Sequence, residues 1–509
     1  MKLLITVSLA LLPIVLTAQK KVASLPFEFE KKLLANEDYD AYFLDNQTNQ
    51  VVSLILKDNR KVEYIQLDKN FTVLSKIDVD LGSTVFNEDI GDYRGGTAYG
   101  NVFNFIYQEK DKRGNKFQLE TVDYNTKKVT HRSLFEIPKS ETVISSFSDN
   151  NAYFAITADD KAKELVFYTV NGTGVTTQKR IPFTVPGTGR KQDKLSEYLE
   201  DLRFFKTGEE ADLSSAVSSA KIFSTPGSLT FIINKEEQPV HLFSIQLPDL
   251  SVKEHFIDLH TFRKDAKEKY QYNSFKKKDL LFSLIVSKKN IQVVVHKAAT
   301  GELVGRQEIN EESNFSVFAQ NPVIENRRPK FAIKTSPEKK EIDEMKRMLG
   351  IINQNIDGIM VTENNKGENI VTIGTHKLIP MGGSSGGFGG GFAPTVTPTT
   401  PTAYNSGATS TTVIAYNNHL YYRPGNPSYT NARSYTAIYF KLLLDSTATK
   451  YAKGKAPVSV PDQIKDYIQG AESMSQRATN QFSIGERQFY GYYDKNAKAY
   501  IIEEIQLKN

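Results

Sequence analysis

Apolar runs return along this chain at a nearly constant interval. They begin at Val51 (VVSLILK), Val102 (VFNFIYQ), Asn151 (NAYFAITA), Ser228 (SLTFIIN) and Asp279 (DLLFSLIV), and more loosely at Gly358. After each run come a polar turn, a second run, a turn with Asp, Asn or Gly, and a third run. Nearly unbroken stretches such as Leu54–Leu56 and Leu280–Val286 predict strands buried on both faces. The two-residue alternation around Val62, Tyr64 and Gln66 predicts a further strand of each unit. Strand units repeated about every fifty residues predict radial repetition. The expected fold is all-β, a seven- or eight-bladed β-propeller with short helical insertions.

Two intervals are longer than the rest, from 151 to 228 and from 279 to 358, and both contain a helical pattern. Between Lys191 and Phe205, the residues Leu195, Leu199, Leu202 and Phe205 fall on one 3.6-residue stripe. Between Ser336 and Ile351, Ser-Pro opens the segment and Ile342, Met345 and Leu349 share a face. Helical insertions are therefore expected near 191–205 and 337–350, with another short helix over Pro461–Ser475. Gly382–Phe392 is glycine-rich and Ala393–Ala403 is rich in threonine and proline. Neither can bury enough apolar surface to order itself, so 382–403 is expected to be a flexible loop inside a blade connection. Asp68-Lys69-Asn70, Asp123-Tyr124-Asn125 and Asp494-Lys495-Asn496 read as turns, because Asp and Asn side chains bond nearby backbone amides. The early stretch Val22–Phe29 has no partner in its own neighbourhood. A ring needs closing, so an early segment somewhere in residues 22–45 is expected to complete the sheet that holds 488–507.

Residues 1–18 (MKLLITVSLALLPIVLTA) pair one lysine with an apolar stretch and end on small Ala18 before Gln19. That is the pattern of a secretory signal peptide, which leaves 19–509 as a single propeller domain. No later run is long and apolar enough to span a membrane as a helix, so the mature chain is expected in the periplasm or outside the cell. The sequence holds no cysteine, which excludes a disulfide framework and thiol chemistry. Lysine and arginine number 64 against 59 acids, a balance that does not point to nucleic acid. With the leader, the Ala18-Gln19 junction and the strand units in view, the chain resembles the secreted β-propeller-like proteins of Bacteroidota over most of 40–507. That resemblance brings no catalytic residues, for there is no Trp-Asp dipeptide, kelch di-glycine or Asp-box to carry across.

Candidate chemistry is sparse. No G-x-S-x-G elbow occurs, and Phe392 stands where a G-x-G-x-x-G motif would need its last glycine. Among the histidines His255 and His260 come nearest to a metal-ligand spacing, with Glu254 and Asp258 beside them, but no metal or cofactor is expected. Adjacent acids such as Asp159-Asp160 point to opposite faces of a strand and cannot jointly flank a scissile bond. The most site-like stretch holds Tyr416, His419, Tyr421, Tyr422, Arg423, Tyr429, Arg433 and Tyr435. Tyrosine and arginine give large contact area with few rotors to freeze, and loops over rigid scaffolds concentrate binding residues. Three functions remain open at this point, one of them a structural cell-surface component that would show neither a binding patch nor a catalytic cluster. Another is a non-enzymatic scaffold that binds a protein or cell-envelope partner through its loops. The third is a peptidase or glycosidase with its site in the central channel, which would need carboxylates or histidines converging on one pocket. The sequence leaves the oligomeric state open.

Overall fold

The computed structural model describes residues 20–27, 40–46, 50–57, 61–80, 92–109, 116–149, 151–186, 194–199, 202–206, 213–225, 227–235, 238–247, 250–313, 315–318, 320–327, 338–354, 356–380, 414–416, 419–421, 432–458, 460–471, 476–484 and 487–507. Strand β1 (Lys20–Pro26) comes first. Blade 1 is β2 (Asp40–Asn46), β3 (Val51–Lys57), β4 (Lys61–Asp68) and β5 (Val73–Asp80). Blade 2 is β6 (Asp92–Tyr99), β7 (Val102–Gln108), β8 (Lys116–Asp123) and β9 (Lys128–Glu136). Blade 3 is β10 (Glu141–Asp149), β11 (Ala152–Asp159), β12 (Glu164–Val170) and β13 (Thr176–Pro182). Helix α1 (Leu195–Tyr198), β14 (Arg203–Lys206) and α2 (Leu213–Ala216) lead into blade 4. That blade is β15 (Ala220–Thr225), β16 (Ser228–Ile233), β17 (Val240–Gln246) and β18 (Val252–Ile257). Blade 5 is β19 (Gln271–Lys277), β20 (Leu280–Val286), β21 (Asn290–Lys297) and β22 (Leu303–Asn310).

Blade 6 departs from this order. Its outer strands β23 (Val323–Arg327) and β24 (Glu338–Ile342) come first, then α3 (Met345–Ile352), β25 (Ile356–Glu363) and β26 (Asn369–Pro380). A small hairpin, β27 (Ile414–Tyr416) and β28 (His419–Tyr421), precedes its last strand β29 (Ala432–Leu444). Helix α4 (Val460–Ala471) then leads to blade 7, made of β30 (Gln476–Ile484), β31 (Arg487–Asp494) and β32 (Ala499–Ile505).

These strands make seven sheets, and the fold is a seven-bladed β-propeller. Inner strands of successive blades touch, with β2 against both β30 and β6, β6 against β10, and β19 against β25. Aliphatic and aromatic side chains fill the wedges between blades. Leu44, Ile55 and Tyr64 of blade 1 pack with Phe103, Phe105 and Tyr107 of blade 2, and the later wedges repeat the scheme. The junction of blades 6 and 7 is built differently. Ile370 and Leu443 of blade 6 pack on Ala456, while Tyr490 and Ile505 of blade 7 pack on Ile464 of α4. The segment 445–471 thus serves as filler where, among the described residues, the two blades share no apolar cluster of their own strands.

The ring closes as expected. Strand β1 pairs antiparallel with β32, from Lys20 opposite Glu504 to Pro26 opposite Ala499, and becomes the outer strand of blade 7. Leu25 and Phe27 bury against blades 7 and 1 beside Phe43, Phe482 and Tyr500.

The repeats read from the sequence are the second strands of blades 1 to 5, buried on both faces by neighbouring blades. The restart at Gly358 falls instead on β25, the innermost strand of blade 6. Inner strands such as β6 (DYRGGTAY) and β10 (ETVISSFSD) carry no apolar run. Gly96 in β6 is required by a close approach. A Cβ there would stand 2.5 Å from the Asn104 carbonyl oxygen and 2.7 Å from Leu44. The Asp-rich turns are structural. Asp68 accepts the amides of Asn70 and Thr72, Asp123 those of Asn125 and Thr126, and Asp494 that of Asn496.

Two expected helices are corrected. The stripe at 191–205 yields a single helical turn, α1, and then the strand β14, which pairs parallel with β15. Phe204 stacks on Phe147 at 4.0 Å and Phe205 on Phe223 at 5.2 Å. Adjacent aromatics that must both bury, against different neighbours, fit an extended chain better than a helix. In the second segment, Glu338–Ile342 is the outer strand β24, and helix α3 starts at Met345 rather than 337. A run of Glu and Lys suits an exposed sheet edge, where charge discourages further pairing. The helix expected over Pro461–Ser475 is α4. The loop 382–403 lies outside the described residues.

Candidate functional site

Two regions could carry function: the axis of the ring, and the long connection inside blade 6.

At the axis, polar side chains of the inner strands are tied together across blades. Lys221 on β15 is fully buried and donates to the Ser218 carbonyl at 2.5 Å and to Asn273 Oδ1 at 2.7 Å. Asn273 on β19 in turn donates to the carbonyls of Val217 (3.1 Å), Ser218 (3.3 Å) and Asp357 (3.2 Å). One amide therefore joins the approach to blade 4, blade 5 and the inner strand of blade 6. Replacing Asn273 with Ala should cost about 2–4 kcal/mol in urea unfolding, because an ammonium and three carbonyls lose their shared partner in a dry site. A loss below about 0.5 kcal/mol would show that water replaces the amide. Asp357 itself is 5% exposed, and neither carboxylate oxygen has a hydrogen-bond partner. Burial holds its carboxyl well above the usual carboxylate range.

The chain also occupies the axis. Strand β14 lines the inner edge of β15 and touches β10, and α2 packs on β25, β26 and β29. Leu213 of α2 meets Gly374, and Val217 meets Gly358. On the other side β27 pairs parallel with β30 at Ile414 and Gln481, with β28 against β6 and β10.

Other titratable clusters are built for structure. Arg180 on β13 meets Glu141 at 2.5 Å, Asp159 at 3.2 Å and Glu164 at 3.2 Å. Asp160, next to Asp159, caps α1 by accepting the Ser196 amide and hydroxyl, each at 2.7 Å. His241 lies between Glu254 (2.8 Å) and the Tyr198 hydroxyl (3.2 Å), under the ring of Phe256. Burial lowers its pKa even though Glu254 opposes the shift. His255 and His260 share no partner: His260 faces Asp258 at 3.2 Å, while Nε2 of His255 is buried beside Gly301 without a hydrogen bond. Among the described residues, no group of three His, Asp or Glu is placed to hold a metal ion. One carboxyl escaped the reading of the sequence. Glu120 on β8, buried between blades 1 and 2, is raised to about 7. It belongs to the third strand of blade 2 and Asp357 to the inner strand of blade 6, so the two raised acids sit on different blades.

The tyrosine-rich stretch is split by the fold. Tyr416, His419 and Tyr421 lie on the β27–β28 hairpin, with Tyr416 opposite His419 and Ile414 opposite Tyr421. Arg433 and Tyr435 lie on β29, opposite Ile379 and Lys377 of β26. Tyr422, Arg423 and Tyr429 are outside the described residues. The strands that carry this connection outrun their sheet. Inner strand β25 pairs with β26 only as far as His376, and β23 reaches β29 only at Ile438 and Tyr439. Among the described residues, β26 and β29 pair with each other alone over Lys377–Pro380 and Ala432–Tyr435. There they end in a two-stranded arm, and the connection between them, 381–431, includes the β27–β28 hairpin that lies against β30, β6 and β10.

No protein-family model matches this chain, and no curated protein matches it. Among solved structures it is similar to the WD40 domain of SCAP from fission yeast (8% identity, TM-score 0.31, covering 93% of this chain and 97% of that one). It is also similar to the β-propeller domain of the Trilobed protease from Pyrococcus furiosus (8%, TM-score 0.25, 66% and 78%). A third likeness is to prolyl oligopeptidase B from Galerina marginata (10%, TM-score 0.26), where 54% of this chain matches 33% of that enzyme's length. The propeller assignment here rests on sheet order and ring closure.

Proposed function

We propose that this chain is an exported, non-enzymatic propeller scaffold that binds a protein or cell-envelope partner, with the blade 6 arm as its reach. The arm is the observation that carries this reading. A blade needs only a short turn between its second and third strands, whereas here residues 381–431 separate β26 from β29, and those two strands continue as a ribbon past the described ends of their sheet partners. Six of the eight Tyr, His and Arg positions singled out in the sequence lie within that connection, and Arg433 and Tyr435 lie on its base. A hydrolase in the central channel is less well supported. The axis holds β14, α2 and the β27–β28 hairpin, and the raised acids are on separate blades.

The test replaces residues 381–431 with an Asn-Gly turn. The shortened protein loses the β27–β28 hairpin from β30, β6 and β10 and should melt several degrees below the full chain, about 3–6 °C, while the apolar wedges keep the ring folded. It should lose its retention on cell-envelope preparations. Undiminished retention, or turnover of peptide or glycan substrates by the full chain, would overturn the reading.

A further inference from the structure

Blades 1 and 2 close over a box of tyrosines that surrounds Glu120. Tyr107 on β7 donates to Glu120 at 3.4 Å, and Tyr64 on β4 of the neighbouring blade also donates to it. Tyr93 of β6 lies 5.6 Å from the ring of Tyr107 and 4.7 Å from that of Tyr42 on β2. At the far side Tyr124 bonds Ser53 of blade 1 at 2.8 Å. Glu120 is 3% exposed and Tyr64 1%. The way out runs past His131 on β9, whose Nδ1 is 3.6 Å from the carboxyl and whose side chain is 32% exposed.

Among the described residues, the charged groups around the box are few. Lys57, at the end of β3, acts on both Glu120 and His131. Asp40 bonds Tyr42, and Asp92 is felt by the same ring. Arg94 acts on Tyr153, which in turn acts on Tyr93. Glu63, next to Tyr64 along β4, is held by Lys61 and Lys76.

We propose that this box is a proton-operated fastening between blades 1 and 2, tight while Glu120 is protonated and looser once it is ionised. The carboxyl bridges strands of both blades through Tyr64 and Tyr107, so its charge state acts directly on the wedge between them. Burial is the main reason it titrates near 7, partly offset by the Tyr64 hydrogen bond, Lys57 and the Tyr107 hydrogen bond. His131 is itself held below its usual value by burial and by Lys57, so it supplies no compensating charge in that range. The sign follows from linkage. An unfolded glutamate ionises near 4.5 and this one near 7, so the stability of the wedge is complete below about 4.5 and declines as pH rises to about 7. Ionisation breaks only the carboxyl O–H bond: the proton goes to solvent and the electron pair stays on the carboxylate. The protein would therefore be firmer on the acid side of neutral.

The experiment uses the full chain and three variants, Glu120→Gln, Asp357→Asn and Lys57→Met. Melting is followed from pH 4.5 to 8.5, together with hydrogen exchange of β4 and β8 corrected for the intrinsic pH dependence of exchange. The wild type should lose about 3–5 °C relative to Glu120→Gln across the window. Exchange in β4 and β8 should accelerate with rising pH in the wild type and not in Glu120→Gln. Asp357→Asn removes the other raised acid and should leave the blade 1–2 exchange pattern unchanged. Lys57→Met removes a cation that favours the ionised carboxyl and should move the transition to higher pH. It remains informative if Glu120→Gln fails to fold. An equal slope in Glu120→Gln, acceleration that follows Asp357 instead, or a transition indifferent to Lys57 would overturn the proposal.

Discussion

A chain lacking residues 20–27 should melt about 10 °C or more below the intact protein. Removing β1 strips blade 7 of its outer strand, uncovers β32, and takes Leu25 and Phe27 out of the wedge they share with Phe43 and Tyr500. Two buried apolar side chains at about 2 kcal/mol each, plus a ladder of hydrogen bonds at about 1 kcal/mol each, amount to roughly 5–10 kcal/mol, a large share of any domain's stability. Deleting 498–509 removes β32 and leaves β1 with no strand to pair with. The double deletion should therefore be no worse than the deletion of 498–509 alone, within about 0.5 kcal/mol. Two independent losses that add would mean that the ring is not fastened this way. Thermal and urea unfolding of the three truncated proteins decide it.

The second large effect is expected inside blade 3. Arg180→Met should destabilise the protein by about 3 kcal/mol, because the Glu141 side chain has no exposure and would lose its ion-pair partner. Thr157 at 2.6 Å and Tyr168 at 3.0 Å also donate to Glu141, so the carboxyl would not be left bare. In the double variant Arg180→Met, Glu141→Gln most of the loss should return, since the amide can still accept from both hydroxyls. A strong coupling in this double-mutant cycle marks a buried pair, whereas additive losses would mark a surface arginine. Arg180 also meets Asp159 and Glu164, so the single variant should be the worst of the set.

What could be read from the sequence followed burial. The strands at Val51, Val102 and Leu280 were visible because neighbouring blades cover both their faces, which demands unbroken apolar residues. Inner strands were not visible, because β6 and β10 meet the axis with Arg94, Gly95, Gly96, Ser145 and Ser146. The error at β14 has the same root. Leu195, Leu199, Leu202 and Phe205 are buried as a helical stripe would require, yet Phe204 between them is buried too, and periodicity alone could not reveal a second buried face. For β24 a run of Glu and Lys fitted a helix as well as a sheet edge, and only the pairing with β23 decided between them. The candidate residues were legible as a composition and not as a place. Tyr416 and Arg433 fall on different strands because residues far apart in the chain bring β26, β29 and β30 together. Glu120 was hidden for a related reason. Its partner Tyr64 belongs to another blade, and nothing in KFQLETVD announces a carboxyl that will be shut away from water.

The antiparallel closure also determines how the protein answers to force. Lys20 lies opposite Glu504, so residue 20 and the end of β32 emerge side by side from the same edge of blade 7. A load drawn between those two points would open the β1–β32 ladder one hydrogen bond at a time, like a zipper, instead of stretching all of its bonds at once. A load applied between opposite blades would have to part whole apolar wedges. A partner that holds the ring by its faces can therefore pull hard on it, whereas a tether attached through residues 20 and 505 would release the last blade under modest tension.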